Sequence, residues 1–158
     1  MELNPYVKFL GDRDAVEVIG HTCAQLVKLM EKMPEAQLAL APPTARWSAR
    51  EIVAHLADCE LVFAFRLRQT LAEEAPIIQP FDQDRWAARY APCDAASAMR
   101  LFESLRTWNL LLLDTLKPAD WDRPTTHPER GAMTFRTIVE TIAGHDLNHL
   151  GQLERLIG

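Results

Sequence analysis

A chain of 158 residues, 48% hydrophobic and 25% charged, is the size of one domain, residues 1–158, and buries a core without disulfides or structural metal. Its formal net charge of −5, with Lys and Arg scattered, excludes a broad nucleic-acid or anionic-membrane surface, which needs clustered cations. Cys23, Cys59 and Cys93 are odd in number and outline no disulfide framework; Met1–Pro5 shows no signal peptide and no apolar run is long enough for a membrane, so a reducing cytoplasm is expected.

Four stretches carry the three-and-four spacing of an amphipathic helix. The first runs from about Asp14 to Met33, with Val16, Ile19, Cys23, Leu26 and Met30 on one stripe and Pro34 as its stop. The second starts at Ser48-Ala49-Arg50-Glu51, a capping box, with Trp47 and Ile52 in hydrophobic-staple positions. It should reach about Ala72, with Ile52, His55 or Leu56, Cys59, Phe63 and Leu67 inward.

A long connection, roughly Glu73 to Cys93, contains Pro76, Pro80 and Pro92, and its Phe81–Trp86 core has the makings of a short helix. Connections this long in a small domain are uncommon and often functional. The third helix is expected over about Asp94 to Leu116, with Leu101, Leu105, Trp108, Leu112 and Leu116 as the inward stripe. A second irregular segment, Pro118 to Met133, shows no hairpin signal. Thr134 then caps a fourth helix reaching about Ile157, with Met133 and Ile138 in staple positions. The fold class is therefore all-α, a four-helix bundle with long crossover connections.

The inward stripe of the fourth helix reads Phe135, Ile138, Ile142, His145, His149, Leu153, Leu156. His145 and His149 are one turn apart on the buried face, so their rings can converge. His55 lies on or beside the matching stripe of the second helix. Three neutral imidazoles suit Zn, Ni, Fe or Cu, and three protein ligands leave one position open for water or substrate. The competing reading is hydrogen-bonded core histidines, which would have to avoid a cost of about 1–3 kcal/mol for each unpaired ring nitrogen.

The segment Trp47–Asp58 (WSAREIVAHLAD) resembles the second-helix motif of the DinB-like (YfiT-like) metalloenzyme family, and His145–Leu153 (HDLNHLGQL) its C-terminal H-x-x-x-H motif. The resemblance extends over nearly the whole chain. It implies a four-helix bundle with a three-histidine site for a divalent metal, usually Ni or Zn, commonly in a homodimer, with His55, His145 and His149 as ligands. Some members of that family are thiol transferases, using mycothiol, bacillithiol or glutathione on electrophiles, and others are thiol-dependent isomerases. A small-molecule thiol and an electrophile are thus the expected partners, with no nucleic acid and no membrane. A metal-dependent hydrolase, a non-catalytic metal-binding or stress-response protein, and a purely structural bundle are the alternatives.

Other residues have two readings each. Cys59, one turn after His55, is a fourth ligand or a small core residue. Asp58 and Asp146 orient an imidazole N–H or are solvated. Asp82, Asp84 and Trp86 overlook the metal or form a capped short helix packed on the bundle. Arg66, Arg85 and Arg89 hold a substrate carboxylate or are solvated. His21 and His127 are expected to be exposed.

Overall fold

Each long helix begins where a side chain takes over backbone N–H groups left free by the first turn. Asp14 accepts from the Glu17 amide ahead of α2 (Ala15–Glu31), which follows a single turn, α1 (Val7–Leu10). The turn α3 (Glu35–Leu38) precedes Ser48, which accepts from the Glu51 amide while Glu51 accepts from the Ser48 amide at 2.9 Å, opening α4 (Ala49–Ala72) as a complete capping box. Asp82 caps the short α5 (Gln83–Ala87) and Asp94 caps α6 (Ala95–Leu113). Thr134 Oγ1 accepts from the Thr137 amide at the start of α7 (Phe135–Ile157). These come from a computed structural model describing residues 3–157.

The long helices α2, α4, α6 and α7 form the bundle. α4 packs on α6 and α7, and α2 lies along α7. Two apolar clusters stack along it. One gathers Leu26, Ile52, Val53, Leu56, Phe102 and Leu153; the other Phe63, Leu67, Phe135, Ile138, Val139 and Ile142. Each such buried side chain contributes about 1.5–3 kcal/mol. Between them, at the same level of all four helices, lies a belt of buried polar residues: Thr22, His55, Glu60, Arg106, Asn109, His145, Asp146 and His149.

Two expectations are corrected. The segment before α7 does contain a hairpin, β1 (Pro124–His127) antiparallel to β2 (Gly131–Thr134), behind a 3-10 turn at Pro118–Asp122. Its strands are four residues long, too short for alternation to register, and Gly131 has φ +91, a conformation glycine adopts without a Cβ penalty. The crossover joins it: the Ile78 amide donates to the Thr126 carbonyl and the Thr126 amide to the Pro76 carbonyl, each at 2.9 Å.

The inward face of α6 is also turned from the expected one. Ala98, Phe102, Arg106, Asn109 and Leu113 are buried, whereas Leu101 is 44% and Trp108 61% exposed. Counting apolar residues selects the wrong stripe because the buried one carries Arg106 and Asn109. Their partners are acidic: Arg106 Nε and Nη2 donate to the two Glu60 oxygens at 3.0 and 2.8 Å and Nη1 to Asp146 Oδ2 at 2.7 Å, while Asn109 donates to Glu60 at 2.7 Å.

Candidate metal centre

α4 and α7 bring His55, His145 and His149 together at the centre of the polar belt, all at most 4% exposed. Ring centroids lie 5.1 Å apart for His55–His145, 4.8 Å for His55–His149 and 4.4 Å for His145–His149. His55 Nε2 and His145 Nε2 are 3.1 Å apart. Burial drives all three toward neutral imidazole: His55 is pushed down to about 3, with His149 and Arg46 adding to the effect, and His149 to about 4, against Gln152. His145 falls well below its ordinary value, first through burial and then through its two neighbours. Neutral rings keep the lone pairs a metal needs.

Their surroundings fix the rings. His149 Nδ1 lies 2.9 Å from Gln152 Oε1, so it is assigned the proton and Nε2 keeps the lone pair. Trp47, just before the capping box, lies 4.6 Å from the His55 ring and stacks 6.1 Å from His149 at 17°. Tyr6 and Phe63 meet the His145 ring edge-on at 5.1 and 6.0 Å. His145 Nδ1 is buried with no hydrogen-bond partner.

Among the described residues, His55, Cys59 and His145 bring candidate ligand atoms within 4.8 Å of one another. Cys59 Sγ lies 3.5 Å from His55 Nε2 and 3.7 Å from Nδ1. A sulfur sharing an ion with Nε2 would sit beyond that nitrogen and markedly farther from Nδ1; nearly equal separations place it over the ring instead. Burial, its largest influence, pushes the Cys59 thiol far up, with Asp58 and Asp146 adding to the rise. In this arrangement Cys59 packs beneath His55, and the His149 ring lies 4.8 and 4.4 Å from the rings of His55 and His145.

Neither Asp58 nor Asp146 touches an imidazole. Asp58 Oδ2 accepts from Tyr90 Oη at 2.9 Å, tying the end of the crossover to α4. Asp146 is 2% exposed and is held by Arg106 and by Thr22 Oγ1 at 2.8 Å, so it is neither solvated nor an imidazole partner. His21 is exposed, as expected, but His127 is 4% exposed, because β1 turns it under the hairpin. Arg66 is 8% exposed, its guanidinium between the Phe63 and Phe81 rings; Arg85 and Arg89 are exposed.

Two cavities reach the centre from different sides. One of about 530 Å³ is walled by Trp47, His55, His149, Gln152 and Arg155. The other, about 420 Å³, is walled by Cys59, Phe63, Arg66 and His145. Tyr6 and Gln83 line both. The crossover thus overlooks the histidines through Gln83; Asp82 caps α5 and pairs with Arg85, Asp84 pairs with Arg46, and Trp86 packs on Phe81 at 5.0 Å.

The fold recurs in known proteins. The DinB superfamily matches residues 20–153, and the chain belongs to it. A protein of Oceanobacillus iheyensis, provisionally named a metal-dependent hydrolase, is 32% identical over 124 residues, 76% of this chain and 70% of its own. YfiT of Bacillus subtilis, described as a probable metal-dependent hydrolase with an unusual four-helix bundle topology, superposes with a TM-score of 0.79 at 26% identity, covering 89% of this chain and 84% of its own. A mycothiol-dependent maleylpyruvate isomerase shares the fold at a TM-score of 0.69 and 12% identity, over 88% of this chain and 59% of its own. Among the described residues no helix is long and apolar enough to cross a membrane.

Proposed function

We propose that this chain is a metal-dependent enzyme in which His55, His145 and His149 hold one divalent ion, Ni or Zn, and which transfers a small-molecule thiol to an electrophile. The observation that carries the metal reading is the pair of buried Nε2 atoms 3.1 Å apart. With both rings neutral, one lone pair faces another unless a proton or an ion lies between; nitrogens each about 2.0–2.1 Å from a shared ion come to about this separation. His149, with its proton assigned to the Gln152 side, offers the third lone pair. A divalent ion held by these three histidines would supply Lewis-acid chemistry, lowering the pKa of a thiol or a water in the adjoining cavity.

The thiol version is favoured by what the carboxylates do. Glu60 and Asp146 are taken up by Arg106, and Asp58 by Tyr90. None reaches the histidines to act as general base, so the reaction that suits the site needs little help beyond acidification of the nucleophile, and a thiol starts nearest to neutral pH. The cavity bounded by Trp47, His55 and His149 receives the thiol, with Trp47 covering the rings and excluding water. Hydrolysis is the second reading, favoured by the relatives' names.

Metal analysis of the purified protein, followed by assays with thiols and a panel of electrophiles and esters, tests both. One ion per chain, lost in His145→Ala and His149→Ala, is expected, with electrophile consumed only when thiol is present. Ester cleavage without thiol would select the hydrolase. Absent stoichiometric metal, or metal retained in both variants, would sink the site assignment.

A further inference from the structure

The second cavity holds charges that the metal reading does not use. Arg66 projects from α4 into it, is 8% exposed, and spends one donor on the Gln79 carbonyl at 2.7 Å; its Nε is buried with no partner. Arg130, half-buried beside the hairpin turn, lines the same space, close enough that its guanidinium disfavours the charge on Arg66. His127 Nδ1 accepts from the Glu129 amide at 3.2 Å, so a neutral ring carries its proton on Nε2 and adds an N–H donor. Two carboxylates also line the cavity. Asp82 is engaged with the α5 amides and Arg85, and Glu129 is exposed. Two buried or half-buried cations with one uncommitted, solvated acid leave the wall short of about one negative charge, and phenyl rings flank Arg66 on two sides.

We propose that this cavity binds the carboxylate of a small-molecule substrate between Arg66, Arg130 and His127, presenting the rest of that molecule to the His145 side of the centre. A planar monoanion matches the guanidinium fork and the charge shortfall better than a phosphate dianion would. The bearing on catalysis rests on the metal reading above; the anion site itself does not.

Calorimetric titration of the full chain with benzoate and with its neutral counterpart benzamide, at fixed ionic strength, tests this. Benzoate is expected to bind at least tenfold more tightly than benzamide. Arg66→Gln should lower benzoate affinity tenfold or more and Arg130→Gln severalfold, with Arg66→Lys keeping part of it and metal content unchanged in all three. Should Arg66→Gln fail to fold, the half-exposed Arg130→Gln and the benzamide comparison decide. Equal binding of the two probes, or indifference of benzoate to both substitutions, overturns the site. Running the titration on chelator-treated and metal-loaded protein separates the two readings. Arginine-dependent benzoate binding in a chain that takes up no metal would sink the metal centre and support the anion site, and metal uptake with no preference for benzoate would do the reverse.

Discussion

Arg106 shows how much one side chain can hold. It is 1% exposed and joins α6 to Glu60 on α4 and Asp146 on α7, with a further bond to the Ile19 carbonyl at 2.9 Å on α2. Replacing it by Met strands two buried carboxylates, and a loss of about 3–5 kcal/mol in unfolding free energy is expected from urea titration. A variant within about 1 kcal/mol of the wild type would show that the network is not sealed from water. The histidines make the opposite kind of demand. Their folded-state values lie far below the unfolded value near 6.5, so the unfolded chain binds more protons in acid. The metal-free protein should keep the full contribution of neutral histidines above about pH 6.5 and lose it progressively toward pH 4 and then 3, the values for His149 and His55. Thermal melts of chelator-treated protein between pH 8 and 4 check this, and the slope should shrink in His55→Phe. At this scale the burial of His145 and His149 on one face was legible in the sequence through helical phase, whereas setting His55 beside them leaned on the family motif. His127 was misplaced, and of the two readings of Arg66 the solvated one fails, because polar side chains are normally solvated and only the hairpin and crossover above these two decide otherwise.

Helix starts were the most legible elements, since a cap is a local chemical fact: Ser48 and Glu51 meet within one turn wherever that turn lies. The face of α6 was not legible, because burial there is decided by Glu60 and Asp146, 46 and 40 residues away in sequence. The hairpin depends in the same way on its pairing with the crossover at Ile77 and Ile78. A local feature with a distant effect is Gly144 on α7. A Cβ there would lie 2.5 Å from the Tyr6 carbonyl oxygen and 2.8 Å from Tyr6 Cβ, a clash with backbone that no side-chain rotation relieves. Gly144→Ala should therefore push α1 and Tyr6 off α7 while raising helix propensity. Since Tyr6 lines both cavities, the expected outcome is faster amide exchange over residues 4–10 and a looser KM, with metal content retained. Unchanged exchange in that segment would show that α7 itself gives way.

At the scale of the molecule, the polar belt divides the core, yet the apolar clusters on either side are large enough to carry the fold without an ion. Chelator-treated protein and His145→Ala should both remain helical by circular dichroism and unfold cooperatively. Adding metal at 100 times its Kd should stabilise the wild type by about 2.7 kcal/mol and leave His145→Ala unmoved. A wild type that unfolds on chelation would make the ion structural. The two cavities that meet at the histidines have one more consequence, and it is kinetic. A centre reached through separate mouths lets each reactant arrive and leave without waiting for the other. Initial-rate lines for varied thiol and electrophile should then intersect rather than run parallel, and the joined product, which fills both cavities, should inhibit competitively against each reactant.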